Sequence, residues 1–384
     1  MSFSARLWRH IPEILLLVAV IGVQFYLCRW LLEWGRLRHS RALRVGLRIL
    51  TTAIALWLGF GIAGTFTMFV WRLQPTPTGA WIRGVALAWC FASLATFVVL
   101  AVLRRVPRFR QERRGFLGAA GAALAVAPFA AMAYGILAER KQLRLREVDV
   151  PIPNLPRDLD GLRIVQLSDI HLSAFLSERE LARAIDTANG LRANLALVTG
   201  DLISSYGDPL DACLRQIARL RTDAGTLCCL GNHEIYAEVE DEATRKAARL
   251  GIDLLRQESR LLRFGNATLN LAGVDYQRKG QPYLEGAGRW IVPGVTNVLL
   301  SHNPDVFDVA AGQGWDLTIS GHTHGGQITV EILHQQLTFA RFYTPYVYGL
   351  YRQGRSSIWV TRGIGTVGLP ARVGAPPEVA LIRL

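Results

Sequence analysis

Five short polar motifs in the second half of the chain carry residue types that bind metal ions. They are Ser168-Asp169-Ile170-His171, Gly200-Asp201, Gly231-Asn232-His233, Ser301-His302-Asn303 and Gly321-His322-Thr323-His324-Gly325-Gly326. Six of the 8 histidines follow residue 150, and five of those six fall inside these motifs. One such turn alone would be read as a helix cap or a satisfied buried histidine. Five in order read as a ligand set. The set provides two carboxylates, four candidate histidine ligands and one asparagine carbonyl. Imidazole, carboxylate and carbonyl without thiolate suit zinc, manganese or iron. Seven ligands are too many for one ion and suit two ions that share a bridging carboxylate. Two ions about 3.5–4 Å apart activate water and clamp a phosphoryl group for in-line displacement. Glycines beside the ligands let backbone approach the ions closely.

These motifs need elements to hold them. From about Pro151, short runs of strand character alternate with longer segments of helical period. The strand-like runs are Leu162–Leu167, Leu195–Thr199, Thr226–Leu230, Thr268–Ala272, Asn297–Leu300, Leu317–Ile319, Ser357–Thr361 and Val379–Ile382. Helical segments include Arg179–Ala188, Leu210–Leu220 and Glu240–Leu250. The alternation predicts a layered α/β domain. In such folds ligands gather beyond the carboxyl ends of strands, and each motif follows a strand-like run. No internal repeat and no low-complexity linker is present.

The first half has a different texture. The chain has 384 residues, 51% hydrophobic and only 19% charged, with a mean hydropathy of +0.22. Soluble chains carry about 25% charge, so a membrane component is expected and disorder is excluded. The net charge of +13 would suggest a nucleic-acid partner, but its distribution argues otherwise. Residues 1–150 hold 20 of the 43 Lys and Arg and only 6 of the 30 acids, which leaves residues 151–384 at −1. The basicity belongs to the apolar half, so a nucleic-acid groove is not expected. Four apolar stretches, 14–28, 49–71, 84–103 and 115–138, contain no charge. About 20 helical residues cross the hydrocarbon layer. The last three stretches meet that length and the first meets it with its flanks. A cleavable signal peptide is disfavoured because no small-x-small site follows Cys28. Pro128 is expected to kink the fourth span.

Loop charge gives an orientation. Arg29, Arg36, Arg38, Arg41, Arg44 and Arg48 border the first connection, and Arg104, Arg105, Arg108, Arg110, Arg113 and Arg114 the third. The opposite side offers Arg6, Arg9, Arg72 and Arg83. This bias puts the first and third connections in the cytoplasm and both termini outside. The cluster Arg140, Lys141, Arg144 and Arg146 opposes it but precedes a long domain, where the rule weighs less. The expected location is a bacterial inner membrane, with the catalytic domain outside the cytoplasm.

The order D-x-H, G-D, G-N-H-E, H and G-H-x-H across residues 162–326 resembles the calcineurin-like metallophosphoesterase family. The resemblance continues through Gly363-Ile364-Gly365 and from Arg372 to Pro377-Glu378 into its membrane-associated phosphodiesterase branch. With the preceding spans, the chain is similar to transmembrane proteins that carry a metallophosphoesterase domain. The apolar stretches and the resemblance together give a four-helix transmembrane region (1–139), a juxtamembrane linker and first strand approach (140–160), and an α/β metallophosphoesterase domain (161–384). That last domain is expected to be a layered β-sandwich flanked by helices. The resemblance also implies that Asp169, His171 and His324 hold one divalent metal, that Asp201 bridges, and that Asn232, His302 and His322 complete the second site. His233 would be the catalytic residue, donating a proton or hydrogen bond to the leaving oxygen. The chain departs from the family at Gly200-Asp201-Leu202-Ile203-Ser204, where many members carry an acid at the last position that orients this histidine. Glu234 or a water is the expected substitute.

The function these features imply is hydrolysis of a phosphodiester or pyrophosphate in a lipid-linked or envelope substrate. The alternatives are a phosphomonoesterase with the same site, or a catalytically silent metal-binding sensor or scaffold. Against the latter stands the intact ligand set. A transporter is disfavoured because the four spans contain no buried acid or base. Cys213, Cys228 and Cys229 form an odd set without C-x-x-C spacing, so spacing leaves open either one bridge from Cys213 or buried free thiols. Phe339–Tyr351, rich in aromatics and containing Arg341, reads as a substrate rim, a membrane-interface belt or ordinary packing. His334 just before it reads as a surface histidine rather than a ligand.

Overall fold

The computed structural model describes residues 11–36, 40–71, 76–105, 114–332 and 335–384. The chain divides into two compact units, Met1–Tyr134 and Gly135–Leu384. His334 lies outside the described residues.

The first unit contains the helices α1 (Ile11–Arg36), α2 (Arg41–Trp71) and α3 (Pro77–Arg105), and most of α4 (Arg114–Leu137). Alanines and a glycine at every fourth position of α3, Ala80, Gly84, Ala88 and Ala92, are buried. Such a stripe lets helix backbones approach closely where lipid supplies no hydrophobic drive. Trp89 stacks its ring edge against Trp57 at 5.9 Å, lies 4.6 Å from Phe129, and donates its indole N–H to Gln24 Oε1 at 3.2 Å. Large apolar residues such as Phe25 and Leu56 face outward, 70% and 72% exposed. Among the described residues three helical stretches are long and apolar enough to cross a membrane: Arg41–Gly61, Pro77–Arg105 and Ala120–Lys141. The expectation was four spans, and length and composition support three of them among the described residues. The expected first span falls within α1, where Glu13 and Arg29 confine the uncharged run to 14–28. That run is shorter than the roughly 20 residues a span needs, and Arg29 pairs with Glu33 at 2.8 Å on the exposed side.

The second unit runs β1 (Arg144–Asp149), β2 (Arg163–Leu167), α5 (Glu178–Gly190), β3 (Leu195–Thr199), α6 (Leu210–Ile217), β4 (Thr226–Cys229), α7 (Asn232–Ala237), α8 (Glu240–Arg249) and β5 (Asp253–Leu254). It continues with β6 (Glu258–Phe264), β7 (Ala267–Gly273), β8 (Thr296–Leu300), α9 (Phe307–Gln313), β9 (Leu317–Ser320), β10 (Thr329–Ile332), β11 (Gln335–Thr338), β12 (Gly349–Gln353), β13 (Ser356–Val360) and β14 (Glu378–Arg383). Two six-stranded mixed sheets form, ordered β1-β14-β2-β3-β4-β5 and β12-β13-β9-β8-β7-β6. Within the first, β2, β3, β4 and β5 are parallel, and within the second β7, β8, β9 and β13 are parallel.

Alternate residues of each strand face opposite sides, and here both sides are apolar. Ile164, Leu195, Leu197 and Leu227 of the first sheet pack on Leu269, Leu271, Val298, Leu300, Leu317 and Trp359 of the second. Val165, Leu167, Ala196 and Val198 turn the other way, onto Leu181, Ile185, Leu214 and Ala243 of the helices. The unit is therefore two facing sheets with helices outside. Helix α5 begins with a capping box, Ser177 and Glu180 each accepting the other's backbone N–H, which satisfies two otherwise orphaned donors. Cys213, Cys228 and Cys229 are free and buried, with thiols pushed up by burial, so the bridge left open by spacing is not formed.

Candidate metal centre

The ligand-type residues all sit just past the carboxyl ends of five strands. Asp169 and His171 follow β2, Asp201 follows β3, and Asn232 and His233 follow β4 in the first sheet. His302 follows β8, and His322 and His324 follow β9, in the second. The facing sheets thus bring residues 153 positions apart into contact: His171 Nε2 and His324 Nε2 lie 3.1 Å from each other.

Asp201 occupies the middle. Its Oδ2 is 3.3 Å from His171 Nε2 and 3.1 Å from His302 Nε2. Its Oδ1 accepts the backbone N–H of His233 at 3.0 Å. Asp169, Asp201, His171 and His324 form one group whose ligand atoms lie within 4.8 Å of one another, and Asp201, His302 and His322 form a second. His324 Nε2 is 3.4 Å from Asp169 Oδ1, and His322 Nδ1 is 3.2 Å from His302 Nε2. Either group could hold a metal ion, and Asp201 belongs to both.

The backbone is bent to achieve this. Asp169, His171, Asp201, His322 and His324 all have positive φ, between 48° and 74°. Non-glycine residues rarely adopt that region, and such strain concentrates at functional sites. Gly200 (φ +80°) has no room for a Cβ against Gly231 and His302, and Gly363 (φ +67°) has none against Asp169. The glycine before Asp201 and the one in the C-terminal motif are thus required by contact with the ligands.

The donor set fits a cation. Asn232 Oδ1 is buried and accepts no hydrogen bond, which is costly for a carbonyl unless a positive partner faces it. Burial lowers His171 to about 4 and His322 to about 3, and brings His324 well below its ordinary value. These rings are therefore neutral near neutral pH, the form that binds metal. Burial raises Asp169 to about 6. His302 is the exception: burial pulls it down, but the Asp201 carboxylate overrides that and raises it to about 10. Asp201 is in turn held well below the carboxylate range, because His302 and His233 outweigh its burial.

Supporting bonds orient the rings. His302 Nδ1 donates to the Thr199 carbonyl at 2.7 Å, which points Nε2 at Asp201. His171 Nδ1 meets Ser204 Oγ at 3.1 Å. His233 Nδ1 donates to the Ser204 carbonyl at 2.6 Å. His233 therefore bonds the Ser204 backbone at the position where many family members carry an acid. The expectation that Glu234 orients His233 is corrected, because both Glu234 oxygens are committed elsewhere. Oε2 accepts from Asp201 N and Gly231 N at 3.0 and 2.8 Å, and Oε1 from Leu202 N at 2.7 Å. This fully buried carboxylate ties the turn carrying Asp201 to the turn carrying Asn232.

Two neighbours were not read from the sequence as part of the site. The Tyr276 ring lies 5.5 Å from that of His322. The guanidinium of Arg372, fully buried, donates to the carbonyls of Gly365, Arg362 and Ala375 at 2.6–2.8 Å, and its Nη2 lies 3.4 Å from His324 Nδ1. Arg372 was legible only as part of the C-terminal motif. Its role of pinning the 362–375 loop beneath a ligand is visible only in three dimensions.

The description "Calcineurin-like phosphoesterase" belongs to the family whose model matches residues 162–326. A metallophosphoesterase of Bacillus subtilis, YkuE, itself uncharacterized, is 30% identical over 285 residues, covering 72% of this chain and 98% of that protein. The chain belongs to the calcineurin-like metallophosphoesterase family. A transmembrane protein with a metallophosphoesterase domain from Danio rerio is 29% identical over 65% of this chain, which spans 59% of that relative's length. The phosphodiesterase YaeI of Escherichia coli is 30% identical over 58% of this chain and 82% of its own. As a calcineurin-like metallophosphoesterase the protein belongs to a family of phosphoric ester hydrolases that use divalent metals. Its Asp and His cluster is the place where such metals could bind.

Proposed function

We propose that this chain is an integral-membrane phosphoesterase whose site holds two divalent cations, manganese, zinc or iron, and cleaves a phosphodiester or pyrophosphate in a lipid-linked or envelope substrate. The observation that carries the reading is Asp201, whose one carboxylate faces both ligand groups at 3.1–3.3 Å. Asp169, His171 and His324 would hold one ion, and Asn232, His302 and His322 the other, with Asp201 shared. Bound cations supply Lewis-acid stabilisation of the phosphoryl oxygens and a more acidic water. The chain supplies the rest. Water gives up a proton to solvent and forms the new P–O bond as the bond to the leaving oxygen breaks. His233, half-buried and held by Ser204 through Nδ1, gives the proton on Nε2 to that oxygen.

Hydrolysis of soluble aryl phosphodiesters and monoesters by the purified full-length chain tests this, with chelation and metal reconstitution. Diester turnover that disappears on chelation and returns with a divalent ion is the expected result. Preference for the monoester would replace the diesterase reading with a phosphomonoesterase. No turnover of either in the reconstituted protein would favour the silent sensor or scaffold.

The same reading places residues 150–384 outside the cytoplasm. The support is the six arginines between 104 and 114, which precede the last apolar stretch and are expected to stay on the cytoplasmic side. A periplasm-active reporter fused after Leu384 should be active. A reporter active only in the cytoplasm would reverse the placement.

A further inference from the structure

Five of the eleven exposed large apolar residues described after residue 140 lie between 330 and 343. They are Val330, Leu337, Phe339, Phe342 and Tyr343, with Phe342 83% and Tyr343 72% exposed. The remainder are spread singly along the chain from Leu145 to Val309, as is ordinary for a soluble surface. The five belong to the β10–β11 hairpin and the turn after it, where the Phe339 and Phe342 rings sit 6.2 Å apart.

This surface grows out of the metal centre from two directions. Strand β10 starts five residues after His324, and Thr329 Oγ1 donates to the Gly325 carbonyl at 2.8 Å. On the other side, Tyr276 lies beside His322 and leads into Arg278 and Lys279, and Lys279 Nζ donates to the Tyr343 carbonyl at 2.9 Å. The two segments 276–283 and 330–346 carry three bases, Arg278, Lys279 and Arg341, against one acid, Glu331. Exposed aromatics beside an excess of bases have the composition of the bilayer interface, where rings sit at headgroup level and cations meet anionic lipid. The same composition can stack single-stranded nucleic acid. Here aliphatic Val330 and Leu337 share the surface, and the chain's own apolar stretches confine it to a bilayer.

We propose that Val330 and residues 337–343, with Arg278 and Lys279, are a docking surface for an anionic phospholipid bilayer, and that it holds the mouth of the metal centre at the headgroup layer. This goes beyond the hydrolase reading and does not depend on it. Each base within reach of an anionic surface strengthens docking roughly fivefold.

The test uses the full-length chain in lipid nanodiscs containing a trace of aryl-azide phospholipid, illuminated and mapped by peptide mass spectrometry. Adducts on the apolar helices serve as the internal control. In phosphatidylglycerol-rich discs, adducts are expected on the peptide containing Leu337–Tyr343. They should fall at least fivefold in phosphatidylcholine discs, in the double variant Lys279→Glu/Arg341→Glu, and in Phe342→Ser/Tyr343→Ser. Labelling of the helices and turnover of a soluble aryl phosphodiester should hold in Phe342→Ser/Tyr343→Ser. Adducts confined to the helices, equal patch labelling in both lipids, crosslinking of the patch to a second copy, or loss of labelling only on adding single-stranded nucleic acid would each overturn the proposal. Patch labelling in a chain that hydrolyses nothing would leave the docking surface standing and remove the hydrolase reading.

Discussion

Asp201→Asn is expected to abolish binding at both proposed metal positions together and to lower phosphoester hydrolysis by roughly 10³-fold or more, the equivalent of several kcal/mol of lost charge stabilisation. The reason is position. Asp201 Oδ2 is the one oxygen that faces His171 and His302 at once, so a neutral amide there weakens both groups. Asparagine keeps an oxygen for the His233 backbone N–H, so the fold is expected to survive and circular dichroism should show it. Proton release gives a second readout. In the metal-free site Asp201 holds His302 at about 10 against the downward pull of burial. Below that pH an incoming ion must displace a proton from His302, so affinity climbs as pH rises towards that value, and metal uptake at neutral pH releases a proton. In Asp201→Asn the strongest upward pull on His302 is gone, leaving Asp169 and the Thr199 carbonyl against burial, so its value falls and that release should shrink. Elemental analysis and calorimetry in buffers of different ionisation enthalpy read both effects. One firmly bound ion with full activity in the variant would reject the shared carboxylate.

How far the sequence foretold this centre depends on burial. The central strands β2, β3, β4, β7, β8, β9, β13 and β14 were legible because they are covered on both faces, which leaves short uninterrupted apolar runs. Strand β1, Arg144–Asp149, was not, because it is an edge strand of largely exposed charged residues. Its place is fixed by parallel pairing with β14 from the far end of the chain. Strand β6 alternates half-buried and exposed residues along Glu258–Phe264 and again reads as loop without its partner β7. Helix α7 was hidden for another reason: its first residues are Asn232 and His233, whose chemistry masks their helical role. At the site, the residues that gather were legible because metal-binding side-chain types recur at the strand ends. What orients them was not. Ser204 acts on His233 through its carbonyl, which every residue possesses, so its identity carries no signal.

His233→Ala separates catalysis from metal holding. The side chain is fastened at one end only, Nδ1 to the Ser204 carbonyl, and its ring stands edge-on to His171 at 4.7 Å. The bond that His233 makes to Asp201 comes from its backbone N–H, which alanine retains. Asp201 therefore keeps its orientation, and both ions should stay bound. What is lost is the proton donor. General acid catalysis contributes roughly 10²–10⁴-fold, so kcat should fall by that factor for an alkyl leaving group. An activated aryl oxide departs without needing the proton, and for it the loss should shrink towards tenfold or less, about 1.4 kcal/mol. His322→Ala provides the contrast. It removes a nitrogen 3.2 Å from His302 Nε2 in the second ligand group, so metal and turnover should fall together for every leaving group. If His233→Ala slows both leaving groups equally, or sheds an ion, the ring is a ligand and the proton reaches the leaving oxygen by another route.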